Sequence, residues 1–361
     1  MPRKSFGCRG SRIVILLAVG LIFCASLIQA DSLAPIAESR FCASLTPGKY
    51  ILPAKEGWWN WCTAPIYDDS GKLHLFVSAI PNNGDWKVDS VIQHFTADSM
   101  DGPFELVGIP FASKDTTYHN PQISKIGDTY VLVYLMNDPA KLPTRVQSVG
   151  LMTAKSLDGP WTPSPHNPVL KPTDIPGHFR ATHASNPSLV VDRNGKYRIY
   201  YKAISDKKPD FRTICLAVSD SLEGPYTDHP SNPLLSYEHL GSDIEDPYVF
   251  FYQDNYHMIL EDRMDVRGGL EGKRSKDDQV EPGGWRPGLF YTSKDGIDWG
   301  RPEIGYQTNT HYFGGELTRS ERPHILWKNG KPEYLFLASH GKNKEAGFTL
   351  KIGDWAAKPS E

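Results

Sequence analysis

Asn186-Pro187-Ser188-Leu189-Val190-Val191-Asp192-Arg193-Asn194-Gly195-Lys196-Tyr197-Arg198-Ile199-Tyr200-Tyr201 decides the fold. A proline opens a short apolar run, a glycine turns the chain, and an aromatic strand runs back, which is the pattern of a hairpin. The opening recurs as Ala64-Pro65-Ile66, Asn120-Pro121-Gln122-Ile123, Asp246-Pro247-Tyr248-Val249 and Arg322-Pro323-His324-Ile325. The turn recurs at Gly71, Gly127 and Gly330, with Asp254-Asn255 in the fourth copy. The returning strands are Leu73–Phe76, Tyr130–Tyr134, Tyr256–Leu260 and Tyr334–Leu337. Such a unit, repeated at roughly sixty-residue intervals, predicts an all-β chain built by radial repetition, a five-bladed β-propeller.

A second ladder runs in phase with the first. Asp101-Gly102-Pro103-Phe104, Asp158-Gly159-Pro160-Trp161, Glu223-Gly224-Pro225-Tyr226 and Asp295-Gly296-Ile297-Asp298-Trp299 each fall in the second half of a repeat. The Asp-Gly copies suit a tight turn, and the aromatic that follows fills the space between sheets. The spacing puts blade starts near residues 57, 115, 178, 240 and 312. It leaves 31–56 as a lead-in with one short strand, Lys49–Leu52, and 57–361 as the propeller. The polar, glycine-rich stretch from Arg263 to Trp285 reads as a long loop in the fourth blade, which is either functional or a solvated excursion.

The chain has 361 residues, with 39 Lys+Arg against 42 Asp+Glu. This near-neutral balance and the absence of a basic face exclude a nucleic-acid partner as the leading reading. The 9 Trp, 17 Tyr and 15 Phe suit packing between blades, and some suit stacking on sugars. Arg3, Lys4, Arg9 and Arg12 precede an apolar core from Ile13 to Ile28, and Ala30 ends a cleavage site. Residues 1–30 therefore read as a cleaved signal peptide of a secreted or periplasmic protein, with no stable membrane insertion afterwards. Lipoprotein anchoring at Cys24 is disfavoured by the bulky Phe23 before it. The mature chain keeps Cys42, Cys62 and Cys215. Either Cys42 and Cys62 pair or all three are free thiols.

A propeller gathers the starts of its innermost strands around one axis, so the residues at the X-Pro positions are the candidate site. The residues before the prolines are Ala64, Asn120, Asn186, Asp246 and Arg322, and those one earlier are Thr63, His119, Ser185, Glu245 and Glu321. Trp58, Trp59 and Trp61 precede the first inner strand, where one of them, with Trp61 the candidate, either floors the pocket or packs between strands. His183 enters the third blade, and Arg319 and His324 flank the fifth. Two arginines near the funnel suit a uronate or sulfate, or else form a structural salt bridge with Glu321 or Glu316.

The X-Pro ladder and Asp243-Ile244-Glu245-Asp246-Pro247 resemble the five-bladed glycoside hydrolases, chiefly family 43 and the related families 32, 62 and 117. The resemblance implies that Glu245 is the general acid. It also implies that the base position falls on Ala64 and the auxiliary carboxylate on Asn186, so two of the three carboxylates are replaced. A substitute would come from Asp243, Asp246, Glu261, Asp262, Glu316 or Glu321, with Asp243 and Glu316 the leading candidates. His119, His183, His324 and His340 are further proton-transfer candidates. Some propellers of this resemblance hold an axial calcium, for which the sequence offers no ligand set.

These readings lead to an exported, exo-acting glycosidase. Glu245 would be the acid, with Asp246 keeping it protonated by repulsion. Trp61, His119, Asn120, His183, Asn186, Arg319, Arg322 and His324 would position a plant or algal carbohydrate. Two rivals are a non-catalytic glycan-binding propeller and a phosphate-dependent phosphorylase.

Overall fold

The computed structural model describes residues 34–52, 56–113, 115–138, 140, 146–274, 285–314, 319–339 and 347–356. Strands dominate, and they fall into four-stranded antiparallel units in chain order. The first unit is β2 (Trp58–Tyr67), β3 (Leu73–Pro81), β4 (Val91–Ala97) and β5 (Glu105–Gly108). The second is β6 (Thr117–Ile126), β7 (Thr129–Asn137), β8 (Gln147–Ala154) and β9 (Thr162–Pro163). The third is β10 (His183–Val191), β11 (Tyr197–Ile204), β12 (Arg212–Ser219) and β13 (Thr227–Asp228). The fourth is β14 (Ile244–Tyr252), β15 (Asn255–Asp262), β16 (Gly288–Ser293) and β17 (Glu303–Tyr306). The last comprises β18 (Glu321–Lys328), β19 (Lys331–Ala338) and β20 (Gly347–Ile352), with β1 (Leu45–Ile51) as its outer strand. The second and third units join through one parallel pairing, His183 with Gln147.

The lead-in is therefore part of the fold. Its strand is longer than the sequence suggested, and it pairs Leu45 with Ile352 and Ile51 with Gly347. An N-terminal strand in the sheet of the C-terminal hairpin ties the two ends of the chain together and covers an edge that would otherwise be open.

Hydrophobic clusters fill the gaps between consecutive units. Phe76, Ile92, Leu132 and Tyr134 pack the first against the second, and Val133, Leu151, Ile199 and Tyr201 the second against the third. Leu216, Leu260 and Tyr291 join the third to the fourth, and Phe250, Ile259, Leu335 and Phe348 the fourth to the last. Leu75, Val77, Phe95, Leu326 and Phe336 then join the last unit back to the first. The inner strands β2, β6, β10, β14 and β18 touch in the same cyclic order. Each unit is apolar on both faces, which is why its strands read as continuous hydrophobic runs and not as alternating ones.

The turn glycines behave as the sequence implied. Gly71, Gly127, Gly195 and Gly330 have φ between 60° and 88°, and Asp254 reaches 62° in the fourth copy. Cys42, Cys62 and Cys215 are buried free thiols. Residues 1–30 lie outside the described residues. Among those that are described, no helix is long and apolar enough to cross a membrane.

Candidate active site

The inner strands share one irregularity. Pairing slips between His119 and Gln122 in β6, Ser185 and Ser188 in β10, Glu245 and Tyr248 in β14, and Glu321 and His324 in β18. Each slip is a bulge at the X-Pro pair, and bulges re-aim side chains. The residues before the prolines adopt a left-handed backbone, with φ of 49° at Asn120, 51° at Asn186, 61° at Asp246 and 52° at Arg322. Non-glycine residues hold this conformation only where surrounding contacts enforce it.

Those contacts form a ring. Asn120 Nδ2 donates to Asn186 Oδ1 at 3.1 Å, and Asn186 Nδ2 donates to Asp246 Oδ1 at 2.6 Å. Arg322 donates through Nη1 to Asp246 Oδ1 and through Nη2 to the Asn120 carbonyl, both at 3.2 Å. Cys62 Sγ of the first unit donates to Asn120 Oδ1 at 3.3 Å. One polar residue from each inner strand is thus tied at a single level.

The first unit corrects the sequence alignment. Its bulge lies between Asn60 and Thr63, three residues before the Ala64-Pro65 pair. Register therefore makes Trp61 and Cys62 the counterparts of Asn120 and Pro121. Ala64 is fully buried and packs in the cluster between the first two units. The position where the resemblance expects a base carries Trp61, so a carboxylate is missing there for a different reason than the sequence suggested.

Above the ring lies a cavity of about 560 Å³, lined by Trp59, Trp61, Trp86 and Trp285 together with charged groups. Its carboxylates are Glu245, Asp246, Glu261 and Glu321, and its cations Lys202, Arg212, Arg263, Arg319 and Arg322. His119, Asn120 and Asn186 also line it, whereas Asp243, His183 and His324 do not. Asp243 stands behind the wall and holds Arg212 at 3.2 Å and Arg263 at 2.9 Å. His183 bonds Thr182 Oγ1, and His324 lies beneath the ring against the Arg322 carbonyl. Glu316 and His340 lie outside the described residues. The segment from Arg263 to Trp285 is not all loop, since Val266–Leu270 form a short helix behind the Asp265 cap, and its two end residues line the cavity.

Glu245 is gripped by cations. Lys202 Nζ stands 2.6 Å from Oε1, Arg212 Nε 2.7 Å from Oε2, and Arg263 Nε 3.6 Å from Oε2. Burial pushes its pKa up, but Arg212, Lys202 and Arg263 outweigh burial and hold the carboxyl well below the usual range. Repulsion from Asp246 does not reverse this, so the expectation of a protonated Glu245 meets an opposing field. Asp246 is raised by burial, against Arg322.

Glu261 is the contrary case. It pairs across the β14–β15 ladder with Glu245 and is buried, yet it forms no ion pair among the described residues. Its Oε1 has no hydrogen-bond partner. Its carboxyl oxygen lies within 4.8 Å of those of Asp246 and Glu321. Burial first, then repulsion from Glu321, Asp246 and Glu245, raises its pKa well above the normal carboxylate value. An isolated buried carboxylate is so costly that it takes up a proton instead. His119 is kept neutral in the opposite way: burial, with Arg322 and Lys202 nearby, lowers it to about 3.

A calcium takes six to eight oxygens. Arg322 and Arg319 already face two members of the Asp246–Glu261–Glu321 triad, so the triad does not fit a calcium cage. The sequence reading had named Glu261 among the substitutes, but it missed Lys202, Arg212, Arg263, Trp86 and Gln147. Lys202 and Glu261 occupy equivalent places, each opposite the residue before a bulge. A lone charged residue at the end of an apolar second strand was the available signal.

No protein-family profile matches the chain, and no curated protein matches it. Solved structures do. Zg3597, a family 117 glycoside hydrolase produced by the marine bacterium Zobellia galactanivorans, is 17% identical with a TM-score of 0.60, over 87% of this chain and 90% of that one. A thermostable family 43 glycoside hydrolase is 12% identical with a TM-score of 0.53, over 84% and 91%. The family 32 β-fructofuranosidase of Bombyx mori is 16% identical with a TM-score of 0.57, over 92% and 66%. At these identities the likeness is one of fold, and the chain has the propeller-type fold of glycoside hydrolases.

Proposed function

We propose that the chain is an exported, exo-acting glycosidase with five propeller blades, and that Glu261 carries the proton given to the leaving oxygen. The observation behind this reading is the charge pattern of one cavity wall. Of its four carboxylates, Glu245, Asp246 and Glu321 each form an ion pair, and among the described residues Glu261 forms none, feeling Arg263 only at longer range. Neighbouring carboxylates driven to opposite protonation states divide acid from carboxylate roles. The ionised Glu245 would stabilise positive charge developing on the sugar ring.

Asp246 and Glu321 are too close to Glu261 to seat a water between them, which inversion requires at about 6.5–9.5 Å. Asp262 does not line the cavity and accepts from the N–H groups of Val266 and Arg267, which leaves Glu316, three residues before the cavity-lining Arg319, as the sequence candidate for a base. The four tryptophans offer sugar platforms. Arg319 is 44% exposed and, among the described residues, pairs with Glu321 at a long 3.5 Å, which supports an acidic substrate. Arg322 is committed to the ring. The basic and then apolar first thirty residues support export.

The test is product release from neutral and acidic plant and algal oligosaccharides. Glu261→Gln is expected to lower turnover by about 10²–10⁴-fold, the usual worth of a general acid. Substrates whose leaving group needs no proton should recover most of that loss. Full activity in Glu261→Gln would sink the assignment. Trp61 in the base position favours a second reading, a glycan-binding propeller without turnover. Binding without product release at any pH, with and without phosphate, would establish that reading.

A further inference from the structure

A second cavity, of about 420 Å³, opens on the face where the inner strands begin. It is formed by loops of the third unit and by the connection into the fourth. Gly177 to Phe179 precede β10, Ser205 to Pro209 link β11 to β12, and Ser236 and Glu238 lead towards β14. Only a strand's thickness separates it from the central cavity. Arg212 lines the central cavity, while Phe211 and Thr213 on either side of it line the second. Side chains alternate along a strand, so consecutive residues serve the two cavities and their backbones are about 3.8 Å apart.

The lining has the chemistry of a sugar site. Phe211 is half-buried and belongs to none of the hydrophobic clusters of the described residues, so packing does not account for it. Phe179 lies against His178 with ring centroids 4.1 Å apart. Thr213, Ser205 and Ser236 line the same cavity with hydroxyl-bearing side chains, and the exposed Lys207 and Glu238 line it as well. Apolar faces bordered by hydrogen-bonding groups match a pyranose, whose ring face is apolar and whose edge carries hydroxyls.

We propose that this second cavity is a carbohydrate subsite, receiving the part of a glycan chain that leaves the central cavity over β12. The proposal rests on the reading of the central cavity as a glycan site. It makes the protein prefer chains long enough to span both cavities, and Lys207 favours acidic residues in the outer part.

The experiment compares the intact protein with Phe211→Ala and, separately, Lys207→Glu, on neutral and uronate oligosaccharides of two to six residues. Circular dichroism melts confirm folding. Expected for Phe211→Ala is a KM raised about tenfold for the longest chains, the scale of one lost aromatic contact, with short substrates unchanged. Lys207→Glu, at an exposed position, should weaken long acidic chains and leave neutral ones alone. Equal losses on short and long chains, or no loss in either variant, overturn the subsite while leaving the glycosidase reading intact. If the wild type releases nothing, calorimetric binding of the hexamers replaces KM. Binding that depends on Phe211 then supports the subsite and rejects turnover, whereas no binding of any chain rejects both.

Discussion

Arg322 shows how a single side chain can serve the fold and the site together. Its guanidinium bridges Asp246 and the Asn120 carbonyl, and its own backbone N–H donates to Asp246 Oδ2. The residue is 3% exposed, so these charges meet without water. A buried pair adds little net stability over an apolar one, but removing one partner strands the other. Arg322→Ala would leave Asp246 beside Glu245 and Glu261 with its guanidinium gone. The expected cost is about 3–5 kcal/mol, read as a lower urea midpoint with an unchanged slope. A cost below about 1 kcal/mol would mean that the asparagines and Cys62 hold the ring without it. The sequence reading had offered Arg322 an anionic substrate or a salt bridge with Glu321 or Glu316; its partner is Asp246. The arginine was visible in the X-Pro ladder, but its partner depends on which residues share a level around the axis.

At the scale of elements, the repeat was legible because its hairpins carry local chemistry. A proline starts a strand, glycine or Asp-Asn turns it, and an aromatic run returns, so the strands and their order could be read directly. Register was not legible. Ala64-Pro65 looks like the other X-Pro pairs, yet the first unit's bulge falls at Trp61-Cys62, because ladder pairing and not proline fixes the level. The role of residues 45–51 was equally hidden, since their partner strand lies some 300 residues away in the chain. That pairing yields a prediction. Phe41, Leu45 and Ile51 are all buried, and full burial of each such side chain is worth about 1.5–3 kcal/mol. Deleting residues 34–52 removes them and exposes the edge of β20, against a total stability of about 5–15 kcal/mol for a typical domain. The shortened chain is expected to lose its cooperative thermal transition and to aggregate, as seen by scanning calorimetry and light scattering. A sharp transition within a few degrees of the full chain would show that the ring closes without β1.

Across the whole molecule, burial sets histidines and carboxylic acids against each other as pH changes. His94 is buried, with Nε2 at 2.8 Å from His74 Nδ1 and Nδ1 at 3.8 Å from Asp158. Burial, then His74, lowers its pKa to about 4, against the pull of Asp158. In the unfolded chain it titrates near 6.5, so below that pH the unfolded state takes a proton that the folded state refuses. Its contribution therefore turns against folding as pH falls from about 6.5, and the penalty is complete once pH passes about 4. Asp262 works the other way. Burial raises it to about 6, although the N–H groups of Val266 and Arg267 pull it down, so the folded state keeps a proton that the unfolded state releases above its ordinary value of 3.8. That contribution is present at low pH and is lost as pH rises through about 6. His94→Gln, which still hydrogen-bonds but cannot titrate, is expected to gain on the wild type as pH drops from 7 to 4. A shift of 2.5 pH units at about 1.4 kcal/mol each corresponds to about 3.5 kcal/mol. Asp262→Asn is expected to gain in the opposite direction, between about pH 4 and pH 6. Urea unfolding of the three proteins at half-unit pH steps checks both. Parallel profiles for wild type and His94→Gln would mean that His94 takes up its proton in the folded state as readily as in the unfolded chain, and that Asp158, at 3.8 Å, compensates for its burial.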